Sequence, residues 1–209
     1  MTSQVESNYK ELGISLTIKR AEEKARDLHK GQYRKAKQKG EKIPYIIHPL
    51  GVAKIISEYT DDPDTIAAGL LHDTIEDCNY TFEEMGSDFN SKIVEIVKDV
   101  SEDKSLEKEQ GGEGSWRERK EKYLNHLRTQ ASQDALIVSA ADKIHNLKSM
   151  LRDYEELGEE LWDKLNSDSE QNLWFYGEMV KILKNKLDNG LDERLEELYK
   201  QAQQKFTTT

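Results

Sequence analysis

A chain of 209 residues, 35% hydrophobic and 34% charged, is long enough for one sizeable core, and it holds no apolar run able to span a bilayer. Its net charge of −10 argues against a general nucleic-acid or membrane-surface binder. Cys78 is the only cysteine, which excludes an internal disulfide, and the N-terminal MTSQVESNYKELG lacks a secretory pattern; both fit a cytoplasmic protein.

The first helix is expected from about Ser15, where Ile18, Ala21, Ala25 and Leu28 recur at helical spacing, and it ends near Gly31. A basic loop follows over Arg34–Lys42. Residues 19–42 carry ten Lys/Arg against four acids, a local cationic patch in an otherwise acidic chain. Such a patch suits a small anionic substrate better than a long polyanion, and most of its lysines read as a solvated face and loop. Pro44–Ile47 reads as a short extended approach with no strand partner. His48 then precedes Pro49, so it is placed just outside a helix over Pro49–Tyr59, with its backbone held.

Asp61–Asp64 is the next turn, and a central helix follows to about Glu76. Thr81 and Glu84 have capping-box spacing, so Thr81 starts a new helix, which the Gly86–Asn90 stretch divides in two. Ser101–Ser115, polar and with three glycines, reads as a loop that could serve as a lid. Amphipathic helices are expected at Trp116–Arg128 and, deeply buried, at Ser132–Leu151. Glu155–Glu170 is acidic and partly irregular. Helices at Leu173–Leu187 and Leu191–Gln203 close the chain, with Asn189-Gly190 between them.

The chemistry concentrates in Ala67–Asp77, AAGLLHDTIED. His72 and Asp73 are adjacent, and Glu76 and Asp77 follow each of them by four residues, so on a continuous helix each pair shares a face. Four ionisable groups directly after an apolar run are costly to bury uncompensated, and a cation is the usual compensation. Imidazole with carboxylate suits Mn, Fe, Zn, Ni or Co. The bland alternative is an amphipathic helix with a solvated polar end. Two further candidate ligands favour a site: His48, fixed at a helix start, and Asp142, a carboxylate inside an apolar helix. The alternative for Asp142 is an ion pair with Lys143. His145 and His126 read as structural, with His145 on another side of its helix from Asp142, and Cys78 as a small helix-end residue. No phosphate-loop, GxGxxG, CxxC or GxSxG motif is present.

The order His48, His72-Asp73, Asp142 resembles the H…HD…D arrangement of the HD phosphohydrolase superfamily. HKGQYRK (29–35), PYIIHPLGVA (44–53), AAGLLHDTIED (67–77) and SAADKIHNL (139–147) together resemble the hydrolase domain of the RelA/SpoT family, which removes the 3′-pyrophosphate of ppGpp and pppGpp. The likeness weakens past about residue 150. The Arg34–Pro44 segment is long and Lys-rich for the family, and Cys78 stands where Thr is common.

The resemblance implies an all-α fold, a single HD-domain helical bundle of roughly eight to ten helices. It implies a hydrolase core over 15–152, with a C-terminal helical extension over 153–203 packed on the same domain. The chain is too short to add synthetase and regulatory domains and resembles a stand-alone small alarmone hydrolase. By the same matching, Mn²⁺ or another divalent transition metal is held by His48, His72, Asp73 and Asp142. Glu76 and Asp77 stand beside the attacking water. Arg34 and Lys35 face substrate phosphates, and Lys143 and Asn146 line the nucleotide pocket. The expected partner is a small-molecule nucleotide, with no long nucleic acid and no membrane. Competing readings are an HD enzyme acting on another nucleotide or phosphoester, a non-catalytic nucleotide sensor on the same fold, and a plain helical interaction protein.

Overall fold

The computed structural model describes residues 15–34, 42–102, 112–165 and 167–207. Among these residues the fold is all-α, with one isolated β-bridge. No helix among them is long and apolar enough to cross a membrane.

Helix α1 (Leu16–Leu28) starts at Ser15, whose Oγ accepts from the Ile18 N–H. The expected lone approach at Pro44 has a partner. Tyr33 and Pro44 form an antiparallel bridge, with the Arg34 N–H on Ile43 O at 3.0 Å and the Tyr45 N–H on Gln32 O at 2.9 Å. The two ends of the basic segment therefore meet.

Helix α2 (Ile47–Ile56) begins before Pro49, so His48 lies inside the first turn rather than outside it. First-turn N–H groups have no intrahelical acceptor, so a proline is accommodated there. The His48 N–H donates instead to Tyr45 O at 2.9 Å.

Helix α3 (Pro63–Leu71) is capped by Asp62 Oδ2, which accepts from the Thr65 N–H at 2.9 Å. All residues from Thr65 to Leu71 are buried. The helix does not run on to Glu76 as the spacing suggested. It ends at Leu71, and α4 (Thr74–Asp77) begins after His72-Asp73. The cause is local: Thr74 Oγ1 donates to Leu71 O at 2.6 Å, which satisfies a carbonyl at the break.

Helix α5 (Phe82–Asp88) carries the expected Thr81/Glu84 capping box, and α6 (Ser91–Val100) is capped by Asn90. The predicted division between them falls at Phe89-Asn90. Helix α7 (Gly112–Thr129) takes over the last residues of the expected Ser101–Ser115 loop. Residues 103–111, and the lid reading with them, lie outside the described residues.

Helix α8 (Gln133–Leu157) outruns its expected end at Leu151 and stops at Gly158, whose φ of +57° favours glycine. A 3₁₀ helix, Gly158–Lys164, occupies part of the stretch read as irregular. Helices α9 (Ser169–Lys186) and α10 (Leu191–Phe206) follow.

Helix α8 is the central element. It packs against α2, α3, α6, α9, α10 and the 3₁₀ helix, while α1 packs on α3 and α7 on α9. Small residues permit these approaches. Ala21 and Ala25 of α1 are fully buried, and a Cβ on Gly69 would lie 2.3 Å from Ile56 Cδ1. The result is to bring the start of α2, the α3–α4 break and the middle of α8 to one point.

Candidate active site

At that point four side chains converge. His48 Nε2 lies 3.2 Å from His72 Nε2, 3.4 Å from Asp73 Oδ2 and 3.2 Å from Asp142 Oδ1. His72 Nε2 lies 3.2 Å from Asp73 Oδ2 and 3.7 Å from Asp142 Oδ1. The donor atoms of His48, His72 and Asp73 all fall within 4.8 Å of one another, and Asp142 joins through the two histidines. His48, His72 and Asp142 are buried and Asp73 half-buried.

The chemistry of this donor set fits a divalent metal. His72 Nδ1 lies 2.9 Å from Gly69 O, which can only accept, so a neutral ring carries its proton there and turns a bare Nε2 to the cluster. Spacings of 3.2–3.7 Å suit ligands about 2.0–2.2 Å from a shared centre. The charges agree. Burial lowers the His72 pKa, but Asp73 and Asp142 outweigh it and hold it well above the usual range, so without a cation Nε2 carries a proton, which a metal would displace. Burial raises Asp73 and Asp142, yet the histidines, with Lys143 beside Asp142, hold both well below the usual carboxylate range. Two ionised carboxylates closing on two imidazoles call for positive charge between them.

A second layer fixes these groups. His48 Nδ1 lies 2.9 Å from His145 Nδ1. Burial, then the neighbouring His48 and Arg34, pushes the His145 pKa down to about 4, so its ring stays neutral and can accept. The Tyr45 hydroxyl lies 2.6 Å from Asp73 Oδ2 and 3.2 Å from Asp77 Oδ2. Burial, then Asp73 and Asp77, raises the Tyr45 pKa, which keeps the phenol a donor. Asp142 Oδ2 accepts from Lys143 Nζ at 2.6 Å, and Asp142 Oδ1 from Asn146 Nδ2 at 2.6 Å. The ion-pair and ligand readings of Asp142 are therefore compatible, because each uses a different oxygen.

Two adjoining spaces open from the cluster. The inner one, about 160 Å³, touches His72, Asp73, Glu76, Asp142 and Lys143. The outer lobe, about 380 Å³, is of a size that holds a nucleotide. Arg34, Glu76, Asp77, Lys143 and Asn146 line that lobe, with Arg119 and Lys120. Arg34 Nη2 donates to Asn146 Oδ1 at 2.9 Å. Glu76 Oε1 accepts from the Glu102 N–H at 2.8 Å, and the Glu102 carboxylate pairs with Arg119 and Lys120. Burial lowers the Lys120 pKa against the opposing pull of Glu102, while Asp142 more than offsets burial and holds Lys143 well above the usual ammonium range.

The structure thus gathers His48, His72, Asp73, Asp142, Glu76, Asp77, Arg34, Lys143 and Asn146 around one cleft. Lys35 lies outside the described residues. Four further residues of the site, Tyr45, His145, Glu102 and Lys120, are not among the candidates that the sequence offers. Tyr45 sits within PYIIHP, three residues before His48. His145 follows Asp142 by three residues, which is only about 60° around a helix, so the reading that placed it on another side is corrected. The Glu102–Lys120 pair joins the end of α6 to α7, and no local signal announces it.

The HD domain family model matches residues 21–167. The guanosine-3′,5′-bis(diphosphate) 3′-pyrophosphohydrolase MESH1 of Xenopus tropicalis is 43% identical over 130 residues, 61% of this chain and 66% of that protein. Its namesake from Danio rerio is 41% identical over 114 residues, 54% of this chain and 58% of that one. The matched stretch is thus less than two thirds of each relative. A solved structure described as a metazoan ortholog of SpoT that hydrolyzes ppGpp superposes with a TM-score of 0.71 at 26% identity, covering 90% of this chain and 96% of that one.

Proposed function

The chain belongs to the HD domain family, and from that premise we propose that it hydrolyses the 3′-pyrophosphate of ppGpp or pppGpp, giving GDP or GTP and pyrophosphate. The observation that carries the reading is the His48–His72–Asp73–Asp142 cluster opening onto a cleft lined by Arg34, Arg119, Lys120 and Lys143. The names of the relatives point to the same substrate.

His48, His72, Asp73 and Asp142 would hold a divalent metal, with Mn²⁺ proposed. When bound, such a cation acidifies water and offsets charge on phosphoryl oxygens. The remaining work falls to side chains. Glu76 and Asp77 orient the attacking water and accept its proton. Tyr45 holds the Asp77 carboxylate in register with Asp73. Arg34, Lys120 and Lys143 bind the diphosphate oxygens and offset the charge that builds on them. Water oxygen bonds to the phosphorus next to the ribose. The bond from that phosphorus to the 3′ oxygen breaks, and the 3′ oxygen takes a proton to leave as a hydroxyl.

Product analysis of the purified chain with ppGpp and Mn²⁺, alongside a chelator control, tests this. Metal-dependent release of GDP and intact pyrophosphate is expected. Orthophosphate as the product, or no turnover with Mn²⁺ demonstrably bound, would reject it.

A further inference from the structure

The cleft runs from the donor cluster along α8. Asp142, Asn146, Ser149 and Asp153 follow at spacings of four, three and four, so they share one helix face. The eleven residues from Asp142 to Asp153 make about three turns and about 16 Å of rise. A nucleotide carrying a 3′-diphosphate extends over a comparable length. The end near Asp142 is cationic. The end near Asp153 is different: Asp153 and Asn172 line it together with the apolar Met150, Leu161 and Leu165.

Both polar side chains there hold an unused acceptor. Asp153 is 6% exposed, and its Oδ1 accepts from Arg152 Nη2 at 3.0 Å and Nε at 3.3 Å. No described residue donates to Asp153 Oδ2. Asn172 is also 6% exposed, and its Nδ2 donates to Asp168 O at 2.7 Å and Ser167 Oγ at 2.9 Å. Those acceptors fix the amide, and no described residue donates to Asn172 Oδ1. Among the described residues, the polar side-chain atoms sealed from both partner and solvent are His29 Nε2 and Trp162 Nε1. The open oxygens of Asp153 and Asn172 are therefore reachable. An apolar ligand edge over them would strand two acceptors, a costly arrangement.

We propose that Asp153 Oδ2 and Asn172 Oδ1 form a subsite that reads hydrogen-bond donors on a purine edge and thereby selects guanine over adenine. The proposal rests on the alarmone reading for the phosphate end of the ligand. Guanine offers N1–H and the 2-amino group along one edge, which a carboxylate with a second acceptor can bind. Adenine turns its N1 lone pair to the same place, where it would oppose Asp153. Hypoxanthine keeps N1–H and lacks the 2-amino group.

The test uses the full chain with Mn²⁺. Turnover of ppGpp and its adenosine counterpart is compared, and calorimetry measures binding of GDP, IDP and ADP. The wild type should bind in the order GDP, IDP, ADP, a result that needs no variant; equal binding of the three overturns the subsite. Asp153→Asn is the directional probe. Arg152 donates and so keeps the amide oxygen, which turns the NH₂ outward as a donor suited to adenine N1. The guanine-to-adenine preference should fall about 10- to 100-fold, the scale of one bidentate base contact. An unchanged preference in a variant that unfolds like the wild type also overturns it. If neither bis-diphosphate is turned over while GDP still outbinds ADP, the alarmone reading fails and the subsite stands.

Discussion

His145 stands 2.9 Å from His48, ring nitrogen to ring nitrogen, in space that exists because residue 51 is glycine. A Cβ at Gly51 would fall 2.3 Å from both Cδ2 and Nε2 of the His145 ring. The close approach of α2 to α8 therefore sets the ring that orients His48. Gly51→Ala should cost about 1–3 kcal/mol through overpacking and also weaken metal retention. His145→Ala leaves the helices room and should weaken metal binding roughly 10- to 100-fold, the usual effect of losing an outer partner of a histidine ligand. Thermal unfolding and metal titration read the two effects separately. Wild-type metal affinity in His145→Ala would remove the orienting role.

His72→Ala and Asp73→Ala should each abolish metal retention while the helical fold survives, because the donor set loses an atom that no neighbour replaces. Metal content after gel filtration and far-UV circular dichroism check this. Glu76→Gln with Asp77→Asn should behave differently. It leaves the donor cluster intact, so metal should stay bound while turnover falls by about 10²–10⁴, the range for losing a positioned acid or base. Normal turnover in that double variant would exclude both carboxylates from the proton transfer.

The legible parts of this molecule were those written in short sequence intervals. The adjacent His72-Asp73, the Thr81–Glu84 box and the apolar spacing of α8 needed no tertiary knowledge. The convergence of His48, His72, Asp73 and Asp142 was legible because each of the elements that carry them has its own local signal: a histidine at a helix start, a paired motif after an apolar run, a carboxylate in a buried helix. The break between α3 and α4 was not legible, since it depends on one hydroxyl, Thr74 Oγ1, taking the Leu71 carbonyl. Periodicity cannot report such a bond. The apolar spacing of α8 fades at Leu151, but the helix runs on to its stop at Gly158, where the φ of +57° favours glycine. Tyr45 and the Glu102–Lys120 pair make contacts between elements distant in sequence, and Asp153 and Asn172 line one cavity from α8 and α9. Only packing brings them together.

Tyr45 is the side chain whose hydroxyl reaches both a candidate ligand, Asp73, and a candidate proton acceptor, Asp77. Its ring lies tilted at 32° with its centroid 4.8 Å from that of His29 and meets His48 edge-on at 5.8 Å, so Tyr45→Phe keeps the packing and removes only the hydroxyl. Turnover should fall about 10- to 100-fold, with KM moving much less, since the hydroxyl that is removed bonds the Asp73 and Asp77 carboxylates. The measurement is a steady-state comparison of kcat and KM. A change confined to KM would assign Tyr45 to substrate binding instead.

The pH dependence of stability has a separate handle, remote from the cluster. Asp88 accepts from Lys24 Nζ at 2.7 Å and from the Tyr80 hydroxyl at 2.7 Å, tying α5 to α1. The Lys24 bond, then the Tyr80 bond, lowers its pKa below the ordinary 3.8. In the unfolded chain the carboxyl returns to 3.8, so between the two pKa values the unfolded state binds more protons. The contribution of Asp88 is therefore complete above the unfolded value and is lost as pH falls through the folded one. Asp88→Asn should destabilise the protein at pH 7, and the gap to wild type should close as the pH drops below about 4. Urea unfolding of both proteins from pH 7 down to pH 3 measures that gap. A gap of constant size would mean that the aspartate acts by shape and not by charge.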